Sequence, residues 1–137
     1  MISELPSSGR DFQRAALQRH MAAESLLANF NLDAMYLAGY TIECSLKALI
    51  LELSSPQDRK DTLRRITSGA KMHELEVLIA LLRDLGCSMP LELAKRLRKS
   101  TWSTTLRYRS GRPAIGHTRA FLKTAKAVYN WVESQLP

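Results

Sequence analysis

Apolar residues recur every three to four positions along almost the whole chain, and no segment alternates apolar with polar in the β-branched manner of a strand. The pattern predicts an all-α protein. A first helix is expected from about Ser8 to Asn29, with Phe12, Ala16, Ala23, Leu27 and Phe30 recurring along one side. "NFNLD" supplies turn and capping residues, and a second helix follows to about Leu53. Gly39 is its one weak point, a place where a neighbouring helix can come close. Ser55-Pro56-Gln57-Asp58 reads as the start of a short basic third helix, with Ser as N-cap, Pro at the first helical position and Asp in the first turn; "TSG" ends it. The fourth helix, "HELEVLIALLRDLG", places Leu75, Leu78, Ile79 and Leu82 on one face and ends on Gly86 as a left-handed cap. "MPLELAKRLRKS" begins a fifth behind Pro90. After the aperiodic "TWSTTLRYRSGRPAIGH", a last helix from about Thr118 to Gln135 buries Phe121, Leu122, Ala125, Val128, Tyr129 and Val132 and points Lys123 and Lys126 away. Connections are short, so the expected architecture is an antiparallel helical bundle of about five to six helices, with residues 1–137 forming a single domain.

One stretch resists the simple pattern. "YLAGYTIECSLKALI" is apolar enough for a buried helix, yet helical geometry gathers Tyr36, Tyr40, Glu43 and Lys47 within an arc of roughly 60°. They form a polar seam. It reads either as an i,i+4 Glu–Lys pair at the wet edge of a core helix or as part of a site.

Composition places the chain among folded globular domains: 137 residues, 45% hydrophobic, with six Gly and five Pro. The start, "MISELPSSGRDFQR", has no apolar core behind a basic segment, and no stretch is expected to span a membrane, so a cytoplasmic protein without membrane association is the expectation. Cys44 and Cys87 lie in no C-x-x-C or Cys/His cluster, which argues against a disulfide framework and a zinc site; no metal or other cofactor is expected.

Charge changes the picture. The formal net charge is +7, and between Glu92 and Glu133 there is no acidic residue, while Lys95, Arg96, Arg98, Lys99, Arg107, Arg109, Arg112, Arg119, Lys123 and Lys126 all fall there. Such a block attracts polyanions, because neutralising phosphates releases condensed counterions. Trp102 and Tyr108 lie within it as stacking surfaces, and with Arg107, Arg109 and Lys123 they are the expected contacts to RNA or a nucleotide. A merely solvated basic face is the alternative.

Gly-rich phosphate loops, H-E-x-x-H and the G-x-S-x-G elbow are all absent. Three histidines remain. His20 reads as a packing or rim residue and His73 as a helix-start residue. His117 follows Arg112 in "RPAIGH", an R-x-x-x-x-H spacing inside the acid-free block. Arginine and histidine suit metal-free RNA cleavage, in which imidazole moves protons and guanidinium clamps phosphate. On one regular helix, residues five apart differ by about 140°, so Arg112 and His117 need a bend or a second chain to converge. Pro113 and Gly116 favour a bend, or no helix at all, between them.

In order, "FQRAALQRHMAAESLL", "YLAGYTIECSLKALI", "MHELEVLI", "WSTTLRY" and "AKAVYNWV" resemble the HEPN family of small prokaryotic helical domains, over about Phe12 to Val132. The resemblance implies an antiparallel bundle, usually homodimeric, often beside a minimal nucleotidyltransferase in toxin–antitoxin pairs. Many members are metal-independent ribonucleases whose R-x-x-x-x-H motifs meet across a dimer; others have lost the motif and act as binding or accessory domains. Carried over, the motif is Arg112 and His117. Family ribonucleases usually have a polar residue after the Arg and keep the motif helical, whereas Pro113 and Gly116 stand here. The resemblance also implies that Glu43 and Lys47 belong to a seam this subfamily keeps, facing Arg107 and Tyr108. The expected function is therefore binding of RNA or a nucleotide through the basic C-terminal third, in a toxin–antitoxin or related system. The alternatives are an endoribonuclease toxin using Arg112 and His117, or a non-catalytic subunit of a nucleotidyltransferase.

Overall fold

The computed structural model describes residues 5–100 and 102–137. Six α-helices follow one another: α1 (Gly9–Leu26), α2 (Asn31–Leu53), α3 (Arg59–Ile66), α4 (Leu75–Asp84), α5 (Leu91–Lys99) and α6 (Ile115–Gln135). Short 3₁₀ turns, Ala70–His73 and Thr104–Tyr108, lead into α4 and follow α5. Among the described residues there is no strand, as the apolar period required.

Helix α2 is the axis of the bundle. Its residues are buried on nearly every side, from Ala34 and Met35 to Ile50 and Leu51, because α1, α4 and α6 pack around it. On length and composition alone, with a mean hydropathy of 1.2, α2 is a membrane-span candidate, which the sequence reading did not anticipate; 78% of that window is buried inside the bundle. The apolar face is used up by helices rather than left for lipid. Phe121, Leu122, Ala125, Val128 and Val132 of α6 join this core, as do Phe12, Ala16 and Ala23 of α1 and Leu78 and Leu82 of α4.

Local signals explain most of the helix ends. Ser8 caps α1, its hydroxyl accepting from the Asp11 N–H at 3.2 Å. Gly86, at φ 85°, follows α4 in the left-handed conformation that only glycine adopts without strain. Three expectations fail at the ends. Phe30 is 59% exposed, because α1 stops at Leu26 and Phe30 sits at the N-cap of α2 rather than on the α1 stripe. Helix α3 begins at Arg59, not behind Ser55; the Ser55 hydroxyl bonds to Asp58 and makes a turn of its own that holds residues 56–58. Helix α6 begins at Ile115, so Gly116 lies inside a regular helix and no bend falls there. Lys126 is half-buried, its ammonium 4.8 Å from the centre of the Tyr129 ring, instead of pointing away.

Gly39 does permit a close approach, but by a side chain rather than by a helix. A Cβ there would lie 1.7 Å from Cε2 of Trp102. The indole therefore seats directly on the α2 backbone, donates from Nε1 to the Tyr36 carbonyl at 3.1 Å, and stacks on the Tyr36 ring at 6.4 Å.

Candidate nucleic-acid interface

The seam of α2 closes into a network. Lys47 Nζ donates to Glu43 Oε2 at 2.9 Å, and both side chains are only 6% exposed. His73, arriving from the turn before α4, places Nδ1 at 3.1 Å from Glu43 Oε1 and 3.2 Å from Oε2. A carboxylate can only accept, so the proton on Nδ1 faces Glu43. One buried anion thus serves two donors from two elements, which ties the α3–α4 connection to α2. Further along, the Tyr36 and Tyr40 hydroxyls bond at 2.9 Å, with burial and that bond holding the Tyr40 phenol well above the ordinary tyrosine range. The sequence reading set Arg107 and Tyr108 opposite this seam. Arg107 does lie near the seam, but at its Tyr40 end, where its charge acts to lower that phenol against the larger raising effects; the partner of Glu43 is His73. Arg107 also lies over the Tyr108 ring at 5.0 Å, and Tyr108 is 79% exposed. His73 does not start a helix: it ends the 3₁₀ turn ahead of α4, whose N-cap is Glu74, and His20 is buried rather than on the rim, with Nε2 on Glu24 at 2.8 Å.

The expected C-terminal contacts divide into two groups. Trp102 is 9% exposed and packed on Gly39, so its ring belongs to the core rather than standing free as a stacking surface. Arg107, Tyr108, Arg109, Arg112, His117 and Lys123 are all exposed. His117 stands in the first turn of α6 between two adjoining hollows. One, of about 280 Å³, lies between α5 and α6, lined by Arg96, Lys99 and Lys123 above Phe121 and Ala120. The other, of about 240 Å³, is lined by Arg109, Arg112 and Pro113 over Leu32 and Met35. No carboxylate lines either hollow among the described residues.

Two hydrogen-bond sets fix this surface. Arg96 Nε donates to Thr124 Oγ1 at 3.1 Å, pinning its guanidinium against α6. The loop before α6 is tied to the start of α2: Asn31 Nδ2 donates to the Pro113 carbonyl at 2.6 Å, and Arg112 Nη2 donates to the Asn29 carbonyl at 3.2 Å. Arg112 therefore sits on a loop rather than on the helix of His117, and the two side chains line one hollow within a single chain. The angular objection of a regular helix falls away. Helix α6 also has no acidic residue in its first turn and no side-chain cap, so its exposed amides and dipole add positive potential beside His117.

Sequence reasoning missed Arg96, Lys99, Thr124 and Asn31 as site residues, and His73 as the partner of Glu43. Arg96 and Lys99 fall three apart on α5, a spacing that places both on one face. Asn31 and His73 gave no local signal beyond capping. Among the described residues no cluster of His, Cys, Asp and Glu is placed to hold a metal ion.

Residues 10–135 match the HEPN domain family model, so the chain belongs to the HEPN domain family. No curated protein and no solved structure matches it. The all-helical bundle is the fold that membership calls for.

Proposed function

We propose that this HEPN domain binds single-stranded RNA on the surface centred on His117. The observation that carries the reading is the pair of adjoining carboxylate-free hollows, which share His117 and present Arg96, Lys99, Lys123, Arg109 and Arg112 around it. Phosphates spaced along a strand match cations spaced along a groove, and counterion release supplies the affinity. Exposed Phe30, Tyr108 and Ile115 give apolar ground near the same loop, for bases or for the second copy of a homodimer.

A second reading, a metal-independent endoribonuclease, is favoured by one observation: Arg112 and His117 line the same hollow. There imidazole would move the proton and guanidinium would hold the phosphate. Incubation of wild type with mixed RNA in EDTA tests both readings. The binding module retains RNA without cutting it, and His117→Ala binds as wild type does. Cleavage by wild type that disappears in His117→Ala while binding persists establishes the nuclease. Failure to bind RNA at low salt contradicts both.

A further inference from the structure

Beyond the basic surface lies a larger hollow, of about 530 Å³, between the α4 start, the end of α5 and residues 102–105. Its volume falls within the range of small-ligand sites. Ser100, just past the end of α5, lines both this hollow and the basic one beside Arg96 and Lys99, so the two lie on either side of α5 and meet at its C-terminal end. Its lining differs in kind from the basic hollows. The floor is apolar, from Leu75, Ile79 and Leu97. Arg98 and His73 stand in its wall, His73 held in place by buried Glu43. Glu74 and Glu76, both exposed, also line it, with Ser103, Thr104 and Thr105, whose Ser103 and Thr105 hydroxyls bond to each other.

A polyanion backbone would not be drawn to carboxylates, but one nucleoside would suit such a mixture. It presents a flat apolar face to the floor, one phosphate to a cation, and amino groups to acceptors. We infer that this hollow is a base pocket of the RNA site, accepting one nucleobase that carries an exocyclic amine while the strand's phosphates run past Ser100 along Arg96 and Lys99. Arg98 meets the phosphate of the inserted nucleotide. The Glu74 and Glu76 carboxylates accept from the amine. Cytosine offers that donor at N4; uracil places a carbonyl oxygen at the same position, where two carboxylates have nothing to accept and repel it. The inference rests on the RNA-binding reading and adds to it a choice of base.

Fluorescence anisotropy with oligo-C and oligo-U of equal length, near neutral pH and in EDTA, tests it. Wild type is expected to bind oligo-C about tenfold more tightly, the discrimination of one good base contact. In the Glu74→Gln/Glu76→Gln double variant the ratio should fall to about one, since an amide both donates and accepts. The ratio is the readout, because two lost negative charges raise affinity for any RNA. Both side chains are exposed, and an unchanged thermal melt shows that the fold is kept. Equal binding of the two oligonucleotides by wild type, or a preference that survives in the double variant, overturns the base pocket and leaves the RNA-binding reading standing. Binding of neither oligonucleotide defeats both.

Discussion

Removing the Glu43 carboxylate is the sharpest perturbation of the scaffold. Lys47 is 5% exposed and its ammonium meets Glu43 at 2.9 Å, so Glu43→Ala leaves a cation in the core with no counter-charge. Breaking one side of a buried ion pair costs about 3–5 kcal/mol. For a chain of this size, each kcal/mol moves the midpoint by roughly 3–5 °C, so the melt should fall by about 10–20 °C. Glu43→Gln keeps the volume and one acceptor oxygen for the ammonium and should lose less, by about 1–2 kcal/mol. His73 adds little to the difference, being 46% exposed and free to turn to water. Replacing both ions, as in Glu43→Leu/Lys47→Met, should recover most of the loss, because it removes two desolvated charges together. Circular-dichroism melts of the four proteins decide. If Glu43→Ala melts with wild type, the pair is solvated and the seam does not hold α2 in register.

Three further outcomes follow from the packing and the charges. Gly39→Ala should displace the Trp102 indole, since the new Cβ would fall 1.7 Å from Cε2; a loss of about 1–3 kcal/mol is expected by denaturant titration, with a change in near-ultraviolet circular dichroism. Cys44 should resist thiol reagents in the native state at mildly alkaline pH, because burial first, and the Glu43 charge second, push its thiol up to about 11; Cys87 should react earlier, and equal rates for the two would refute this. Light scattering at micromolar concentration should give twice the 15.4 kDa chain mass, and a monomer would remove the second copy from the RNA site.

Helix order, the core faces and the polar seam were legible because each depends on spacing along one helix. Phe121, Val128 and Val132 or Glu43 and Lys47 are set side by side by the 3.6-residue turn alone. What failed depends on contacts distant in sequence. Trp102 reads as a free aromatic among cations, and only the vacant Cβ position at Gly39, more than sixty residues earlier, makes it a core residue. The His73 contact with Glu43 crosses from one helix to the connection before another. Ser-Pro-Gln-Asp reads as a helix start because a cap serine bonds the backbone three residues on; Ser55 makes that bond to the Asp58 N–H, but it closes a turn that ends where α3 begins. At the candidate interface the acid-free run showed the sign of the charge, but not which cations share a hollow. That depends on α5 lying against α6, and on Asn31 anchoring the loop of Arg112.

The most direct measurement is RNA affinity against salt for two charge-matched variants. Lys99→Glu/Lys123→Glu reverses the hollow beside His117, whereas Arg64→Glu/Arg65→Glu reverses an equal charge on α3, which contributes to neither hollow. The first pair should weaken binding of single-stranded RNA strongly and flatten the plot of log affinity against log salt by about one to two units. The second should leave the slope as in wild type. Equal losses in both would mean that net charge alone draws the RNA, and would contradict a site centred on His117.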